Sequence, residues 1–288
     1  MIAIWWLNAD YKKGTVVVWK ELLDVPELWE KLKSASVFVR NTLANGRAHV
    51  AVVGPSGCGK STLGRQLAFG FEEAMLPRSY MRSAGPEFQT ANLPISNSLT
   101  VFAGVDSPSG TQFYKALNHV KGKSNSGIVF VCAKGYQAIY NDAKSVFGEI
   151  NGDVKAAYAL HARERHEQLE LRLLESLVQD LLAKRKELPS GFWVVVMMLK
   201  EDIWWNERTE VNESVRSGVI FTQLEMLRDN GIQAQFVSSS LCRQNVLDGN
   251  DLLLAEVCQG YDDRRFLDSR FKLQNTIHSY FEIDAHNE

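Results

Sequence analysis

The run Gly54-Pro55-Ser56-Gly57-Cys58-Gly59-Lys60-Ser61-Thr62 constrains this chain more than any other. The apolar stretch Val50-Ala51-Val52-Val53 precedes it, and an amphipathic segment over 63–69 follows. Strand, glycine-rich loop and helix in that order have the spacing of a Walker A phosphate-binding loop. Glycines let the backbone take positive φ and turn its N–H groups inward. Those N–H groups and the positive end of the following helix make an anion cradle. Lys60 supplies a point charge for the β- and γ-phosphates, and the Ser61 hydroxyl stands where Mg²⁺ would sit. Every residue from Gly54 through Thr62 is therefore a candidate nucleotide contact. A chance glycine turn is the competing reading.

A chain of 288 residues can bury a large core. Its 45% apolar and 23% charged content is ordinary for a globular protein. A net charge of −2 gives no electrostatic case for a nucleic-acid partner. Cys58, Cys132, Cys242 and Cys258 are widely spaced, with no CxxC pair. That pattern fits a reducing cytoplasm better than a disulfide framework. No apolar run reaches the length of a membrane span, and the first residues do not read as a signal peptide.

Residues 2–7 and 15–19 read as a β-hairpin, and a helix start follows at Asp24-Val25-Pro26-Glu27. We expect residues 1–46 to form a hairpin-helix extension and residues 47–288 a nucleotide-binding domain. After the loop helix, residues 72–98 show little periodicity, as a functional or irregular loop would. Apolar runs at 99–105, 128–133, 192–199 and 235–238 read as further strands. Their continuous apolar character suits a parallel sheet buried on both faces. Helical periodicity covers about 155–187, 213–229 and 263–281. In the first, Leu171, Leu174, Val178 and Leu181 form the expected buried stripe, with Arg163, Arg165, Glu170 and Glu175 away from it. Strands alternating with helices imply an α/β, doubly wound, mainly parallel sheet with helices on both faces. Ligands of such sheets sit at the carboxyl ends of the strands.

The motifs that choose among phosphate-loop proteins lie at those ends. Asp106, after the second expected strand, can bind Mg²⁺ opposite Ser61, although Asp106-Ser107-Pro108-Ser109-Gly110 also has the composition of a turn. At the fourth strand's end, Asp202 can accept hydrogen bonds from guanine N1–H and the N2 amine, which adenine does not match. The stem of Lys200 can lie on the ring face. A solvated charge cluster is the alternative for Lys200-Glu201-Asp202. Ser238 and Ser239 at the fifth strand's end are candidate contacts to the base. Of the adjacent Trp204 and Trp205, one is expected in the core and the other is a candidate contact surface, with core packing of both the competing reading.

Taken in order, these elements resemble the Ras-like (TRAFAC-type) P-loop GTPases, whose elements are the phosphate loop, switch I, DxxG, NKxD and SAK. The resemblance covers roughly residues 48–281, as a divergent pattern. It implies GTP or GDP with Mg²⁺, slow hydrolysis, a molecular switch, and a protein effector or activating partner. It also implies a water-orienting residue, for which Gln112 is the candidate beside Lys60 in catalysis, an exposed polar residue opening a helix being the other reading of that position. A switch I metal ligand is implied too: Thr90, with Ser83 its rival. Arg78 and Arg82 lie in the same segment, as possible phosphoryl contacts or solvated side chains. The departures are Leu199 where NKxD opens with Asn or Thr, Ser109 displacing Gly110 by one position, and Ser240 where SAK has Ala. Two other readings stay open: a nucleotide-binding regulatory module with little or no hydrolysis, and an ATP-using P-loop NTPase. An LSGGQ-like signature, which an ABC-type ATPase would carry, is absent from the sequence.

Overall fold

The phosphate-loop segment begins in strand β1 (His49–Val53), whose residues alternate between two apolar layers. Val50 and Val52 join one layer with Leu63, Val129, Val131, Val195 and Leu273. Ala51 and Val53 join the other with Phe113, Leu117, Phe130, Leu174 and Val196. A strand's period of two puts successive side chains on opposite faces, so a continuously apolar strand needs cover on both. The computed structural model describes residues 49–69, 87–89, 98–101, 111–123, 126–138, 154–248 and 252–282. The expected extension over 1–46 lies outside the described residues.

The other strands of the main sheet are β2 (Glu87–Gln89), β3 (Ser98–Val101), β4 (Ser126–Cys132), β5 (Trp193–Met198) and β6 (Gln233–Ser238). Their order is β2-β3-β1-β4-β5-β6. All neighbours are parallel except β2, which runs antiparallel to β3 at one edge. Every residue of β4 and β5 is buried, as their unbroken apolar runs require. Helix α1 (Lys60–Phe69) follows the phosphate loop, and α2 (Thr111–Val120) precedes β4. The chain then forms α3 (Val154–Ala157), a π turn (Tyr158–Arg163) and α4 (Glu164–Ala183). After β5 come α5 (Glu201–Trp204), α6 (Arg208–Ser217) and α7 (Val219–Asp229), and the chain's last described helix is α8 (Asp263–Glu282). Leu63 of α1 and Leu273 of α8 cover one sheet face; α2, α4, α6 and α7 cover the other. This is the α/β P-loop NTPase fold expected.

Several elements differ from the sequence reading. The segment read as one helix over 155–187 is α3, a π turn, α4 and a 3-10 turn (Arg185–Glu187). Leu174, Val178 and Leu181 are buried as expected and Leu171 only partly, but Glu170, which periodicity sets on the solvent side, is buried too. Glu170 lies four residues before Leu174 and so shares its stripe; its carboxylate is satisfied by hydrogen bonds described below. The helix read over 213–229 is broken at Gly218 into α6 and α7. Strand β2 and an antiparallel pair, β7 (Val246–Leu247) and β8 (Leu253–Ala255), were not anticipated. They are too short to show periodicity.

Candidate nucleotide site

The loop between β1 and α1 is tightly held by backbone. Gly54 has φ +145°, and a Cβ there would fall 2.1 Å from the Val131 carbonyl oxygen of β4. Gly57 has φ +76°, and its Cβ would fall 2.4 Å from the Ala138 oxygen. Only glycine fits either place, both for the left-handed backbone and for the close approach of another strand end. Ala138 N–H donates to Gly57 O at 3.0 Å, which fixes the loop's middle. The helix closes with Leu63 N–H on Gly59 O at 2.9 Å.

Lys60 is the first residue of α1 and only 7% exposed. Its ammonium donates to the Pro55 carbonyl at 2.7 Å, so the side chain folds back across the loop. The Cys58 thiol donates to the same carbonyl at 3.0 Å. Burial raises the Cys58 pKa, which keeps it a neutral thiol beside the lysine. Ser61 and Thr62 are partly exposed on the first turn of α1. A helix start carries N–H groups with no intrahelical acceptor and a positive dipole end. With an ammonium beside it and hydroxyls on its first turn, this donor set fits a polyphosphate with Mg²⁺.

The second cluster stands at the ends of β5 and β6. Lys200 adopts a left-handed conformation, φ 60° and ψ 37°, and turns the chain from β5 into α5. Asp202 is 1% exposed. Its Oδ1 accepts the Ser240 hydroxyl, its Oδ2 accepts the Gln244 N–H at 3.1 Å, and its own N–H donates to Ser240 Oγ at 2.8 Å. Burial pushes the Asp202 pKa up against those bonds. The serine brought to this carboxylate is therefore Ser240, beyond the two expected. Ser238 Oγ donates to Glu201 Oε1 at 3.1 Å, and Ser239 Oγ to the Ser269 carbonyl at 3.2 Å. Lys200 is partly buried; its Nζ donates to the Tyr136 carbonyl at 2.5 Å, and burial lowers its pKa.

Trp204 is buried and donates its indole N–H to Leu199 O at 2.7 Å. Trp205 is partly exposed, its ring steeply inclined to that of Tyr261 at 5.3 Å between centroids, with the Arg208 and Arg265 guanidinium groups over it at 4.7 and 5.1 Å. Trp204 is thus in the core, while Trp205 packs against neighbours of its own chain with part of its surface open. Gln112 is the second residue of α2, at that helix's start. Asp106, Thr90, Ser83, Arg78 and Arg82 lie outside the described residues, as does the Gln112 side chain.

Sequence reasoning missed the loop 133–138 after β4, which the structure sets between the two clusters. Ala138 bonds the phosphate loop and the Tyr136 carbonyl receives Lys200. Its one sequence signal is Lys134-Gly135 directly after a buried strand, the composition of a turn at a carboxyl end. Among the described residues no helix is long and apolar enough to cross a membrane.

No protein-family model and no curated protein sequence matches the chain. Among solved structures, it is similar to Toc33 from Arabidopsis thaliana in complex with GDP and Mg²⁺, at 11% identity over 90% of this chain and 92% of that one, TM-score 0.46. A dimerization-deficient mutant of Toc33 from the same plant gives 12% identity, the same coverage and TM-score 0.46. The signal recognition particle receptor SRb-GDP from Chaetomium thermophilum gives 13% identity over 68% of this chain and 90% of that one, TM-score 0.35. These likenesses assign no activity to this chain.

Proposed function

We propose that the chain binds a guanine nucleoside triphosphate with Mg²⁺ at the loop 54–62, hydrolyses it slowly, and changes its contacts to a protein partner with the nucleotide state. The observation that carries this reading is the Lys60 ammonium, held 2.7 Å from the Pro55 carbonyl at the start of α1 inside a loop only glycines can form. An incoming phosphate exchanges that single neutral acceptor for charged oxygens, a stronger hydrogen bond. Ser61 and Asp106 would hold the Mg²⁺, with Thr90 completing the set; bound there, the ion neutralises phosphate charge. Lys60 stabilises negative charge on the transferred phosphoryl group, and Gln112 orients the attacking water. The Asp202 carboxylate, with Lys200 beside it, supports guanine as the base. Four free cysteines, two of them buried, support a reducing compartment, the cytoplasm.

One observation favours a second reading. Both Asp202 oxygens already accept protein donors, from Ser240 and Gln244. A carboxylate so engaged discriminates less between bases, as in an ATP-using P-loop protein. Competition of GTP, GDP and ATP against a fluorescent nucleotide, followed by a phosphate-release assay, separates the two. Tighter GTP binding with multiple turnovers supports the switch. Equal affinities for GTP and ATP favour the second reading, and no competition by any nucleotide contradicts both.

A further inference from the structure

Glu170 is 3% exposed, on the face of α4 that meets the sheet. Its Oε1 accepts the Ala133 N–H at 2.9 Å and the Gln137 side-chain amide at 3.1 Å; its Oε2 accepts the Gly135 N–H at 3.1 Å. Lys134 and Gly135 have φ of 52° and 78°, and the Ala133 and Gly135 N–H groups, two residues apart, turn to the two oxygens of one carboxyl group. The protein supplies that acceptor from its own helix. The loop's carbonyls are fastened too: Tyr158 Oη donates to Gln137 O at 2.8 Å, and His166 Nδ1 lies 3.3 Å from Gly135 O. On its other side, the same loop holds the phosphate loop through Ala138 N–H on Gly57 O and receives Lys200 on Tyr136 O.

Resting on the nucleotide reading above, we infer that Glu170 is a positioning residue of that site: by gathering Ala133, Gly135 and Gln137 it fixes the loop 133–138, and through it the placement of Gly57 and Lys200. It touches no nucleotide itself. Its burial is costly for a carboxylate, and the packing of α4 alone would be served by an apolar side chain at the same stripe position. What an apolar residue cannot do is accept the Ala133 and Gly135 N–H groups. Left without an acceptor, that loop loses the geometry in which it grips Gly57.

The test uses the full chain, with Glu170→Gln and Gln137→Ala variants. Glutamine keeps one carbonyl acceptor but sets an amide N–H₂ against a backbone donor. Gln137→Ala removes one donor and keeps the charge, and it carries the test where Glu170→Gln does not fold. Mg²⁺·GTP affinity is measured by calorimetry, and amide hydrogen exchange is followed at Ala138 and in β5. Glu170→Gln is expected to weaken binding about tenfold, with Gln137→Ala smaller in the same direction. Exchange at Ala138 quickens in both, while β5 stays protected. Binding and Ala138 exchange that match the unsubstituted chain in both variants overturn the inference alone. An unsubstituted chain that binds no nucleotide overturns the functional reading and, with it, this role for Glu170.

Discussion

At the scale of single residues, two buried carboxylates organise the strand ends. Asp202 gathers Ser240 and Gln244; Glu170 gathers the loop after β4. Asp202→Ala removes the acceptor for Ser240 and the one we propose for guanine, so we predict GTP affinity falls about tenfold while ATP affinity changes little, as read by competition binding. Equal losses for both nucleotides would put the base elsewhere. Glu170 makes a pH prediction. Burial raises its pKa from 4.5 to about 7, against the pull of its hydrogen bonds. Between those values the unfolded chain loses the proton while the folded chain keeps it, so Glu170's contribution to stability falls as pH rises from 4.5 to 7 and levels above. Denaturant unfolding across that window should show a shallower decline for Glu170→Gln than for the unsubstituted chain. The sequence displays Asp202 and the serine run plainly. It does not display which serine turns to the carboxylate, because three adjacent identical residues differ only in orientation. Glu170 was misplaced because a charged residue in an apolar stripe is ordinarily a solvated edge; its partners are backbone N–H groups, which no pattern of side chains records.

At the scale of elements, the phosphate loop, α1 and the buried pair β4 and β5 were legible because each has a strong local signal: glycine spacing in one case, unbroken apolar runs in the other. β2, β7 and β8 were not, since strands of two or three residues have no period to read. The π turn before α4 was hidden in a continuous helical pattern. It carries Tyr158 to the Gln137 carbonyl, so its position serves the same loop. The contact between that loop and the phosphate loop leaves no space at Gly57. Gly57→Ala adds a Cβ 2.4 Å from Ala138 O on a backbone at φ +76°. We predict a loss of about 1–2 kcal/mol of stability from the backbone alone, and more from the displaced loop, with nucleotide binding lost before the fold is. Thermal unfolding together with nucleotide binding on one preparation checks this; a variant that binds as well as the parent would mean the loop yields easily.

At the scale of the molecule, a sheet covered on both faces brings four strand ends to one edge: the phosphate loop after β1, the loop after β4, the Lys200–Asp202 turn after β5, and Ser240 after β6. Sequence order alone implied that convergence, because parallel strands share their carboxyl ends. The hydrogen bonds that join these ends came only with the structure. The central claim is that Lys60 and the surrounding loop grip a polyphosphate. Titration calorimetry with Mg²⁺·GTP on the unsubstituted chain and on Lys60→Ala tests it most directly. We predict saturable binding to the first and about a ten- to hundredfold loss in the second, with unchanged circular dichroism. Equal heats and affinities for both proteins would contradict it.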